Sequence, residues 1–122
     1  MSGDGHSPWP TDIRVRRGER TLVVAFDDGA EYSLPAELLR VESPSAEVQG
    51  HGEGKTIIGG KRQVGIADVE MVGNYAIRII FDDGHDTGLY SWSYLHELGR
   101  ERDQIWARYL TALKNSGLSR EP

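Results

Sequence analysis

A four-residue turn written twice sets the outline of this chain. Phe26-Asp27-Asp28-Gly29 and Phe81-Asp82-Asp83-Gly84 each follow a run in which apolar residues alternate. Leu22, Val24 and Phe26 share one face of the first run; Ile77, Ile79 and Phe81 share one face of the second. Alternation with period two marks a half-buried strand. Asp-Gly supplies the positive φ angles of a tight hairpin turn. Each run therefore doubles back into an antiparallel partner, at Glu31-Tyr32-Ser33 and over Asp86 to Tyr90.

The remaining segments attach to these hairpins. Ile13 and Val15 alternate with charged neighbours, a short strand closed by an Arg17-Gly18-Glu19 turn. Pro35 suits the first turn of a helix, which is predicted over Pro35 to Arg40. Ser43-Pro44 can cap and start one helical turn, inside a glycine-rich loop spanning residues 43–61. The apolar phase shifts between Val64 and Val72, which predicts a bulge near Asp68 before a Gly73-Asn74 turn. Ser91 is placed to cap a helix carrying Tyr94, Leu95 and Leu98, which Gly99 ends or bends. Ile105, Tyr109 and Leu113 then mark one stripe of an amphipathic helix stopped by Ser116-Gly117.

The fold class expected is α+β: an antiparallel sheet of two hairpin-plus-helix units, a long Gly-rich loop and a C-terminal amphipathic helix. With 122 residues the chain holds one domain. Residues 1–10 read as a flexible leader, 11–116 as the domain and 117–122 as a frayed tail. The leader lacks the apolar core of a signal peptide, and no window reaches the length of a membrane span.

Composition narrows the chemistry. The absence of cysteine excludes a disulfide framework, a thiolate metal site and a cysteine nucleophile. It fits a reducing cytoplasm. A net charge of −5 disfavours general binding to nucleic acid or anionic membrane.

Short motifs are incomplete. Gly54-Lys55-Thr56 resembles the end of a phosphate loop, but that loop needs a glycine where Gln49 stands. His51-Gly52-Glu53 with His85 or His96 has the residue types of a two-histidine, one-carboxylate iron site, without the large barrel that usually holds one. No Gly-x-Ser-x-Gly elbow is present, and the carboxylate pairs are sequence neighbours, which face opposite sides of a strand. The second turn is the sharpest polar cluster, with Asp82, Asp83, His85 and Asp86. Its first two carboxylates are explained by turn chemistry, because Asp27-Asp28 repeats them. His85 stands where the first copy has Ala30, so turn formation does not demand it. Trp92, Tyr94, Trp106 and Tyr109 read most simply as packing residues, or as an interface patch if exposed.

Longer runs carry a resemblance. Leu34-Pro35-Ala36-Glu37-Leu38-Leu39-Arg40-Val41, Ser43-Pro44-Ser45-Ala46-Glu47-Val48-Gln49-Gly50-His51-Gly52 and the stretch from Gly73 to Gly99 resemble the gamma-butyrobetaine hydroxylase-like N-terminal domain in its stand-alone bacterial form. Related domains precede the catalytic barrel of gamma-butyrobetaine and trimethyllysine hydroxylases, and another is fused to a chloroplast ATPase that carries iron–sulfur clusters. In the hydroxylases the domain holds a structural zinc through three cysteines and a histidine. The resemblance puts that histidine on His85 and the cysteines near Ser43, Ser45 and Val48. Hydroxyls are poor zinc ligands and valine is none, so the resemblance implies no comparable zinc site and no cofactor.

The function expected is a small, cytoplasmic, non-enzymatic binding or adaptor domain for a protein partner, an iron–sulfur carrier ATPase being the class the resemblance implies. Its binding surface is expected to include His51, Asp83, His85, Asp86 and Trp92. Two alternatives stay open: a metal-binding protein or metal-dependent enzyme using His51 and His85, and a structural subunit of a homo-oligomer.

Overall fold

The computed structural model describes residues 8–49 and 55–122. The expected leader (as far as residue 7) and positions 50–54, including His51, lie outside the described residues. The order is β1 (Pro10–Arg16), a 3-10 turn (Arg17–Glu19), β2 (Thr21–Phe26), β3 (Glu31–Pro35), α1 (Ala36–Val41), α2 (Ala46–Gln49), β4 (Ile66–Val72), β5 (Ala76–Phe81), β6 (Leu89–Ser91), α3 (Trp92–Arg100) and α4 (Arg102–Asn115). The strands make two antiparallel sheets, β1-β2-β3 and β4-β5-β6. The class is α+β, as the patterning requires.

The sequence repeat is deeper than its turn. Each sheet has the repeated strand in the middle and a helix after its third strand. Each has a register shift at the start of its first strand, between Pro10 and Asp12 and between Ile66 and Asp68. The second is the bulge the phase shift predicts. The turns match hydrogen bond for hydrogen bond. Phe26 N–H donates to Ala30 O at 2.8 Å, and Phe81 N–H to His85 O at 3.0 Å. Gly29 (φ +90) and Gly84 (φ +94) occupy the left-handed region that these turns need. The first aspartate reaches across: Asp27 Oδ1 accepts Trp9 N–H at 3.0 Å, and Asp82 Oδ1 accepts Gly65 N–H at 2.9 Å. The second folds back: Asp28 Oδ1 accepts Ala30 N–H at 2.9 Å, and Asp83 Oδ1 accepts His85 N–H at 3.0 Å.

One core joins both halves. Leu22, Val24, Phe26, Leu34, Ile77, Ile79, Phe81 and Tyr90 from the sheets meet Leu38, Leu39, Leu95, Leu98 and Ile105 from the helices. Tyr109 and Leu113 on α4 cover Val41 in a smaller cluster. At about 25 cal/mol per Å² of apolar surface, this burial is the main favourable contribution to folding.

Four local expectations change. Trp9 and Pro10 are drawn into the first sheet, because Asp27 N–H donates to Trp9 O, the Asp27 carboxylate accepts Trp9 N–H, and Pro10 pairs with Phe26. The helix after Pro44 starts at Ala46, with Val48 N–H on Ser45 O, so Ser43 is not its cap. Gly99 lies inside α3: a Cβ there would stand 2.7 Å from Tyr32 Cβ and nearer still to its ring. Close helix–strand approach, and not helix termination, is what requires glycine. Residues 117–122, expected as a frayed tail, make specific contacts. Gly60 N–H donates to Ser119 O at 2.9 Å, Arg62 N–H donates to Arg120 O at 3.0 Å, and the Arg120 side chain is anchored on Glu37.

Candidate functional site

The β5–β6 turn is fastened to the segment after α1. His85 is buried, 7% exposed, and its Nε2 lies 2.9 Å from Ser43 Oγ and 3.3 Å from Ser45 Oγ. The two hydroxyls are 3.3 Å apart. Both serines are buried, as is Val48 one turn further on. A Cβ at Gly88 would run into Ser43 Oγ, so glycine there makes room for the cluster.

Positions 43, 45 and 85 therefore converge, three of the four that the resemblance aligns with a zinc site, but the donors differ. The hydroxyls hydrogen-bond to the imidazole and to each other, and Val48 presents only carbon. Among the described residues no group of three or more histidine, cysteine, aspartate or glutamate side chains could hold a metal ion. The residues present do not fit zinc, which takes thiolate, imidazole or carboxylate ligands. The buried serine–histidine pair has no nucleophile open to solvent either.

On the outer side of the turn Asp83 is the charge centre. Its Oδ2 accepts from Arg40 Nε at 2.8 Å and Lys61 Nζ at 2.6 Å. Burial pushes the Asp83 carboxyl up, but hydrogen bonds from Lys61, the His85 backbone and Arg40 outweigh it and hold it at about 2. Arg40, Asp83, Gly84, His85, Asp86 and Thr87 line a shallow cleft of about 270 Å³. Asp86 is half-exposed, with Arg78 Nη1 3.9 Å away.

Tyrosines read from sequence as packing have a further use. Tyr90 O–H donates to Leu39 O at 2.5 Å, Tyr94 O–H to Glu42 O, and Tyr109 O–H to Ile58 O at 2.8 Å. These phenols hold the backbone leading into and out of the glycine-rich loop. Burial is the leading cause that raises all three, and Tyr109 stands at about 12. Periodicity finds such residues as apolar positions and carries no signal for where the hydroxyl goes.

The other candidates separate. Trp92 is buried, and its Nε1–H donates to Asn74 O at 2.8 Å. It follows Ser91, which pairs with Ala76 at the far end of β5 from the turn. Extended chain from Ala76 to Phe81 spans about 17 Å, so Trp92 does not share a surface with His85. His96 belongs to the first turn: its Nε2 lies 2.8 Å from Asp28 Oδ2, and its ring packs edge-on against Phe26 and Tyr32. It does not join His85. Lys55 is paired with Glu42, and the glycines of the phosphate-loop reading before it lie outside the described residues.

Comparison with known proteins follows the same outline. The family model described as gamma-butyrobetaine hydroxylase-like, N-terminal, matches residues 13–96. A protein solved in solution by NMR is 47% identical, with a TM-score of 0.82 over 94% of this chain and 91% of that one. A second NMR structure is 44% identical, with a TM-score of 0.84 over 100% of this chain and 92% of that one. The crystal structure of a protein of unknown function from Acidithiobacillus ferrooxidans ATCC 23270, in the DUF971 family, is 38% identical. Its TM-score is 0.64 over 74% of this chain and 91% of that one. The chain matches no curated protein.

Proposed function

This chain belongs to the gamma-butyrobetaine hydroxylase-like N-terminal family, and from that premise we propose that it is a small non-enzymatic adaptor that docks a protein partner through the β5–β6 turn. The observation that carries the reading is the buried Ser43–Ser45–His85 cluster. Its polar groups bond to one another, which suits a structural anchor and not a reaction centre. The anchor presents a preorganised surface of Gly84, Asp86 and Thr87 beside the Arg40–Asp83–Lys61 group. Arg40 itself is held by Asp83, which fixes the cationic edge of that surface. Preorganisation lowers the entropic cost of association.

The partner class is an iron–sulfur carrier ATPase, on the family resemblance, and the compartment is the cytoplasm. No helix among the described residues is long and apolar enough to cross a membrane.

A pull-down compares wild type with Asp86→Lys and with an Arg40→Ala variant, each checked for folding by circular dichroism. Loss of a partner in the variants, and recovery of an iron–sulfur ATPase by wild type, is the expected outcome. The same partners in all samples would remove the surface assignment. Elemental analysis of untagged protein addresses the metal alternative using His51 and His85; stoichiometric metal would reinstate it.

A further inference from the structure

The tail beyond α4 lies along the 59–62 segment and sets Arg120 in the wall of a groove, apart from the turn surface. The groove is lined by Pro35, Glu37, Leu38, Arg102, Asp103 and Trp106, and about 370 Å³ stays open beside Arg120, which forms part of its wall. Its floor is the Glu37 carboxylate, 6% exposed on the first turn of α1. Arg120 meets it with both prongs, Nε to Oε2 at 2.9 Å and Nη2 to Oε1 at 2.8 Å. The guanidinium also lies over the Trp106 ring, 5.1 Å from its centroid. A buried carboxylate, a fork-matching geometry and an aromatic lid together recognise arginine and not merely positive charge.

The rest of the tail is lightly held. Backbone bonds from Gly60 and Arg62 guide Ser119 and Arg120, and an exposed Arg62–Glu121 ion pair adds little. Removing Arg120 alone leaves Glu37 buried and uncompensated, which is costly. Replacing it by another guanidinium is not. We infer that the Glu37–Trp106 corner of this groove is an arginine-recognition site, occupied in cis by Arg120, which accepts the arginine of a segment from a partner protein by exchange. The backbone donors at Gly60 and Arg62 already hold the tail through Ser119 O and Arg120 O, so an incoming segment meets the same two donors.

The test uses the full chain carrying Arg120→Ala and, as probe, a fluorescent Leu-Ser-Arg-Glu-Pro peptide followed by polarisation and by the Trp106 indole signal in NMR. Saturable binding is expected to Arg120→Ala, at least about tenfold tighter than to wild type. Arg→Lys in the peptide, or added Glu37→Gln in the protein, should weaken it by about tenfold or more. If Arg120→Ala loses its dispersed spectrum, Gly59→Ala is the second variant. A Cβ there stands 2.7 Å from Ser119 O and pushes the tail, Arg120 with it, off Glu37 while leaving the Glu37 and Trp106 side chains unchanged. It too should bind the peptide more tightly than wild type. No saturable binding to a folded variant, indifference to the peptide's arginine, or tail exchange into a dimer of this chain would each overturn the inference.

Discussion

Ser43 Oγ lies 2.9 Å from His85 Nε2, between residues that share no element and are both closed to solvent. The contact ties the second turn to the segment after α1. His85→Ala removes it and leaves two buried hydroxyls short of a partner, which should cost about 1–3 kcal/mol of stability. Urea denaturation followed by tryptophan fluorescence measures the loss. Unchanged stability would show that the cluster is not an anchor.

Gly99 sets two effects against each other. Glycine inside a helix costs about 1 kcal/mol relative to alanine, so Gly99→Ala should stabilise on helix propensity alone. The Cβ would, however, strike Tyr32, and overpacking of this kind costs about 1–3 kcal/mol. The steric effect should win, with a lower melting temperature by calorimetry. A Tyr32→Ala background should shrink or reverse that change.

Asp83 should shape the acid limb of the stability curve. Its folded carboxyl sits at about 2, below the ordinary value of 3.8. A depressed folded pKa contributes stability that is present above the unfolded pKa and is lost as pH falls through the folded one. The loss from this group therefore falls between about pH 4 and pH 2. Asp83→Asn should be less stable than wild type at neutral pH and should converge on it through that window, as followed by urea midpoints.

Tyr90→Phe leaves the Leu39 carbonyl buried without its phenol donor, at a cost of about 1–3 kcal/mol. The ring itself stays, so the fold should persist. Hydrogen exchange at amides of α1 should rise more than exchange in β2, since the bond holds that helix and not the first sheet.

The serine-for-cysteine positions predict indifference to metal. Chelator and added zinc should both leave the melting temperature where it is, because ligand binding to the native state would raise it. A rise with zinc would show that donors outside the described residues complete a site.

Local patterning along the chain is enough for both hairpins, the bulge near Asp68, the Ser91 cap and the α4 stripe. Ser91 Oγ does accept Tyr94 N–H, at 3.2 Å, and Ile105, Tyr109 and Leu113 are buried. Each of these is written within a few adjacent residues, as a period, a turn pair or a capping side chain. It also marked His85 as the residue its turn does not need. Tertiary structure alone decided that His85 is buried against Ser43, which is 42 positions away. It likewise decided that Gly99 yields to Tyr32, that Trp92 stands at the wrong end of β5, and that Arg120 reaches Glu37 across 83 positions. Such partners are chosen by how whole elements pack, and a buried polar group takes whichever complementary atom that packing brings within reach.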